Sequence, residues 1–176
     1  MLGLPCRNRL ERPAYLLYGA AVAAARNPVF YAELMVPDTV DGRFDMVSLH
    51  VYLLVRRLAV LPAPGPALGQ AVFDAMFSDM DVNLREMGVG DLSVGKRNRA
   101  MWEAFHGRSA AYQAALGEPD DEALARALLR NVWRGIAPAC VPARLARIVR
   151  GHDAGLAGQT LATLAAGEVS FAEATP

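Results

Sequence analysis

The chain has 176 residues, 53% of them hydrophobic, and its 18 basic and 18 acidic side chains cancel to a formal charge of zero. That length makes one domain, able to bury roughly 70% of its unfolded surface and to fold without a metal or a disulfide. Cys6 and Cys140 stand alone and far apart, which excludes a disulfide framework or a thiolate metal site and points to a reducing compartment. Lys96 is the sole lysine beside 17 arginines, a bias of coding composition and not of chemistry.

Arg7, Arg9 and Arg12 followed by AYLLYGAAVAAA imitate a secretory signal peptide. The preferred reading is an amphipathic helix with Pro13 near its first turn, Leu17, Tyr18, Ala21, Val22 and Ala25 at helical spacing, and Arg26 at its end. Residues 1–12 then form an extension, 13–165 a helical domain and 166–176 a mostly structureless tail. NPVFYAELMVPDTVDGR reads as one helical turn and a loop punctuated by Pro37, Asp38, Asp41 and Gly42. Asp38 and Asp41 are turn and cap residues on this reading, not a general-acid pair.

A long helix follows. Phe44, Val47, Val51, Leu54, Leu58 and Leu61 recur in steps of three and four, with Met46, Leu53 and Val60 widening the stripe, so this helix is central. Its run FDMVSLHVYLLVRRLAVL cannot cross a membrane, because it carries Asp45, His50, Arg56 and Arg57. LPAPGPALG breaks the chain. The next helix turns Val72, Phe73, Met76, Phe77, Met80, Leu84 and Met87 inward and stops at Gly88, and these methionines belong to a core sooner than to a pliable binding face. Ser93 or Asp91 caps a further helix with Met101, Phe105, Tyr112 and Leu116 on one face. Four acids between Glu118 and Glu122 open another, and Pro142 the last. The fold class is all-α, a single domain of six or seven helices.

Between Asp79 and Arg97 the sequence DMDVNLREMGVGDLSVGKR imitates two ion sites. Asp79, Asp81 and Asn83 follow the opening of a calcium loop, but on a helix residues two apart diverge by about 200°. The sixth and twelfth positions hold Leu84 and Gly90, where that loop needs glycine and glutamate. Gly90 to Lys96 spell a phosphate loop without its preceding strand and with Arg97 in place of the hydroxyl that holds magnesium. His50, His106 and His152 lack second ligands at helical spacing, so no metal centre and no cofactor is expected. Arg43, His50 and Arg57 recur every seven residues along one side of the central helix and are expected to form a polar seam with Asp79, Asp81 or Glu86. Six arginines and no acid lie between Ala123 and Gly151. Arg126, Arg130 and Arg134 are spaced as one helical stripe, a solvated face by default and otherwise a contact for RNA or anionic lipid headgroups.

YGAAVAAARNPVFYAELMVPDTVDGRFDMVSLH, MFSDMDVNLREMGVGDLSVGKRNRAM and GRSAAY together resemble the ubiquinol-cytochrome c chaperone family, the assembly factors of respiratory complex III. The resemblance runs over about residues 15–116, carried by VPDT, DGRFD, DMD, REMGVGDL and VGK in order. It implies an all-helical, non-enzymatic protein that binds newly made cytochrome b, together with a small partner protein near the ribosomal exit. It places the N-terminal apolar run inside the family domain and supplies no catalytic residue. The expectation is a bacterial assembly chaperone, cytoplasmic and peripheral to the inner membrane, that binds no DNA. Candidate contact residues are Asp38, Arg43, His50, Arg57, Asp79, Asp81, Arg85, Glu86, Asp91 and Lys96. The alternative is a small-molecule binder or hydrolase built on Asp38, His50 and Asp79.

Overall fold

Helical periodicity in the sequence becomes eight helices in a computed structural model that describes residues 4–174: α1 (Leu4–Ala25), α2 (Pro28–Ala32), α3 (Val40–Ala59), α4 (Gly65–Glu86), α5 (Asp91–Leu116), α6 (Glu122–Val132), α7 (Cys140–Ala157) and α8 (Leu161–Ala165). Six are long and two, α2 and α8, are single turns. No strand occurs among the described residues. The side chain of Cys6 lies outside the description, while Cys140 is a free, exposed thiol.

Helix α3 is the axis. Thr39 accepts a hydrogen bond from the Gly42 amide at 3.1 Å, Asp41 sits in the first turn, and Arg56 and Arg57 close the last, so both ends suit the helix dipole. Every residue from Phe44 to Leu54 is buried. One layer, α1 and α4, covers one side of this helix, and a second, α5, α6 and α7, covers the other. A helix buried all round is what its widened apolar stripe announced.

Several boundaries depart from expectation. Helix α1 begins at Leu4, so Pro13 lies inside it and not in its first turn. Its missing N–H deprives only the Arg9 carbonyl, a loss that a half-exposed position tolerates. Helix α5 is capped by Gly90 without a side-chain bond, because Asp91 stands in the first turn and reaches back to Arg85. On α4, Val72, Met76 and Leu84 are buried as expected, whereas Phe73, Phe77 and Met80 are half-buried and Met87 is exposed. Residues 168–174 have no regular structure, yet Val169, Phe171 and Ala174 pack on the core.

Candidate functional site

The VPDT and DGRFD elements build one corner. Asp38 pairs with Arg43 at 2.6 Å on the surface, which holds the carboxyl of Asp38 below its ordinary range. The loop crosses α3 so closely that a Cβ on Gly42 would stand 2.0 Å from the Pro37 carbonyl oxygen. Asp45 is only 1% exposed and lies 2.8 Å from both Arg108 of α5 and Arg134 beyond α6. Burial raises its carboxyl pKa while the two guanidinium groups pull it down. Arg108 also lies over the Phe44 ring, 5.6 Å from its centroid. Arg134 adopts a left-handed backbone, φ 55°, to reach Asp45, and the neighbouring Trp133 ring donates to the Leu34 and Met35 carbonyls at 3.1 Å. Asp45 therefore ties three elements together, and it was not among the expected site residues. Its one sequence signal is a carboxylate interrupting the apolar face of a central helix.

The signature stretch makes a second corner, between α4 and α5. Asp79 accepts a 2.6 Å hydrogen bond from the Tyr18 hydroxyl, and burial followed by that bond pushes the phenol far above its usual range. Asp81 takes Arg85 at 2.7 Å and the Asn98 amide at 2.9 Å, and Arg85 extends to Asp91 across the turn at Gly88, where φ is +78°. Tyr18 and Asn98 carried no sequence signal that would have paired them with these acids. Asp79, Asp81 and Asn83 diverge around the helix, and no metal-binding cluster of three or more ligands exists among the described residues. Glu86 and Lys96 are exposed and form no ion pair among the described residues.

The expected seam of Arg43, His50 and Arg57 does not form. Arg43 turns outward to Asp38, and Arg57 donates to the Gln159 carbonyl at 2.8 Å. His50 is buried beside Phe30, His152 and Phe171, its Nδ1 2.8 Å from the Met46 carbonyl. Because a carbonyl only accepts, that nitrogen carries the proton and Nε2 is left a bare acceptor. Burial lowers the His50 pKa to about 3 and that of His152 to about 4, so both rings are neutral. The seam failed because α3 is enclosed on all sides, so residues on one stripe meet different helices. For the same reason Asp38, His50 and Asp79 have separate partners. The arginine stripe is also shorter than expected, since α6 ends at Val132 and Arg134 turns in to Asp45. Arg126, Arg144 and Arg150 are answered by Glu122, Glu33 and Asp121.

A cleft of about 540 Å³ lies between α3, α5 and α7. Tyr52, Val55, Val60, Phe105 and Ala157 give it apolar walls, and the Arg56–Asp153 pair closes one side. His106 on its lip stacks on Trp102, ring centroids 4.1 Å apart, and behind them Phe73 packs on Phe77 and Phe105. Val60 is 73% exposed and Trp102 47%. Both side chains stand open to solvent at the edge of the cleft.

Comparison with known proteins agrees with this architecture. A family model described as Ubiquinol-cytochrome C chaperone matches residues 32–171. The ubiquinol-cytochrome-c reductase complex assembly factor 1 of Xenopus laevis is 24% identical over 124 residues, which is 70% of this chain and 62% of that protein. Its Drosophila melanogaster counterpart is 26% identical over 132 residues, 72% of this chain and 51% of that one. The chain thus spans about half the length of the curated relatives it matches. A crystal structure of the Cbp3 homolog from Brucella abortus superposes with a TM-score of 0.85 at 37% identity, over 95% of this chain and 92% of that one. With the family model covering most of its length and a solved homologue sharing its whole fold, the chain belongs to the ubiquinol-cytochrome c chaperone family.

Proposed function

We propose that this protein is an assembly chaperone for ubiquinol-cytochrome c reductase that holds newly made cytochrome b, and that it does so without catalysis. Family membership supports the complex, and the relatives named as assembly factors support the role. The observation that carries the binding surface is the open apolar cleft, with Val60 and Trp102 exposed at its edges. An apolar segment of a membrane protein, shed by water, fits such a surface, and the Trp102–His106 stack gives it a rigid aromatic wall. Lys96, six residues before Trp102 on the same helix, and the exposed Glu86 orient the client at the rim. The remaining candidates, Asp38, Arg43, Asp79, Asp81, Arg85 and Asp91, act by holding the two corners that set this wall in place, with His50 and Arg57 supporting from within.

No helix among the described residues is long and apolar enough to cross a membrane. We infer that the chaperone works at the cytoplasmic face of the inner membrane as a peripheral protein, a reading that a membrane-embedded client supports. A photo-crosslinking amino acid at Trp102 should trap cytochrome b in membranes of the native host. Membranes that contain cytochrome b but give no crosslink to it from Trp102 would refute this docking surface.

A further inference from the structure

Residues 168–174 behave like a bound peptide. After Gly167, which has φ +86° and lies against Leu16 of α1, residues 168–174 run without helix or turn along α7. Gln159 reads the Ser170 backbone twice: its Nε2 donates to the Ser170 carbonyl at 2.7 Å, and its Oε1 accepts from the Ser170 amide at 3.0 Å. This is the pair of bonds a neighbouring β-strand would make, and it depends on no side chain of the segment. The next residue, Phe171, sets its ring against His50 and His152, with centroids 5.3 and 5.5 Å away. Ala172 then lies over Gly151 and Gly155, where the helix surface is bare.

The seat of Phe171 is imperfectly matched. Beside it, the bare Nε2 of His50 and both ring nitrogens of His152 are buried without hydrogen-bond partners. Each buried unpaired polar atom weakens the fit of whatever covers it. A phenol in place of the phenyl ring would bring a hydroxyl, able to donate and to accept, to the bare His50 Nε2 and to the one protonated and one bare nitrogen of His152.

We propose that residues 167–174 are a resident, displaceable ligand of a peptide groove, and that the groove's partner is an extended protein segment with a tyrosine at the position of Phe171 and a small residue after it. Backbone capture by Gln159, the aromatic seat and the glycine floor together select that chemistry. The tail keeps the groove covered until such a segment competes for it. Because residues 168–174 belong to no helix, they can leave the groove without unfolding one.

The test uses the full chain and two fluorescent peptides, GEVSFAEA, which is residues 167–174, and the same peptide carrying Phe171→Tyr. Ser170→Pro in the protein removes the amide that Gln159 accepts from and so loosens the tail while leaving every helix residue unchanged. Fluorescence anisotropy should show the Phe171→Tyr peptide binding the Ser170→Pro protein at least tenfold more tightly than the parent, and at least threefold more tightly than the unaltered peptide does. Adding Gln159→Ala should abolish binding with the helical circular dichroism unchanged. Equal affinity for parent and Ser170→Pro protein, no binding to a folded Ser170→Pro protein, or no preference between the peptides would overturn the proposal. Phe171→Ala in the protein, which frees the same seat by another route, must give the same ranking.

Discussion

Asp45 concentrates the tertiary chemistry of the corner that carries VPDT and DGRFD. Removing its charge by Asp45→Asn leaves Arg108, a mostly buried guanidinium, without its counter-ion. The expected cost is about 3 kcal/mol, the low end for breaking a buried pair, because Arg134 keeps half its side chain in water. Chemical denaturation checks this, with Asp38→Asn as the control. That substitution breaks the exposed pair to Arg43 and should leave the midpoint in place. The two histidines predict an acid limit. Both have native pKa values depressed below the unfolded value near 6.5, so the unfolded chain binds protons first as the pH falls. Stability from this source is complete above pH 6.5. It declines through the window down to about 4 for His152 and about 3 for His50, by roughly 1.4 kcal/mol per pH unit for each ring. Thermal midpoints measured across that range should flatten in a His50→Leu variant.

At the scale of elements, the close crossing of the α2–α3 loop gives the sharpest expectation. Gly42→Ala drives a methyl group into the Pro37 carbonyl, backbone against backbone with no side chain able to yield. Its cost should reach about 3 kcal/mol, read as a lowered midpoint with unchanged cooperativity. The helices themselves were legible in the sequence because burial and helical period coincide along α3, α4 and α5. The Gly88 turn and the Thr39 cap lay close to residues that punctuate helices anywhere. Pairings were not legible. Periodicity puts Arg43, His50 and Arg57 on one stripe, but which helix covers each part of that stripe depends on packing across the whole domain. Arg134 shows the same limit, since its spacing extends a stripe that the helix itself abandons two residues earlier. The order in the tail escaped notice because Gln159 holds it through backbone atoms, and a backbone contact leaves no pattern in side chains.

For the molecule as a whole, most of the signature charge is spent internally. Asp38 with Arg43, and Asp81 with Arg85 and Asp91, fix corners, while the apolar cleft and its aromatic wall are the surface on which the proposed binding rests. Family resemblance was readable from the ordered motifs, and the structure shows those motifs fixing two corners of the scaffold. Deleting the gene in the native host and resolving membranes on native gels tests whether this chaperone serves complex III through cytochrome b. Probing those gels for cytochrome b should show assembled complex III lost and cytochrome b depleted, while other respiratory complexes persist. Assembled complex III at the parental level in the deletion strain would contradict the account.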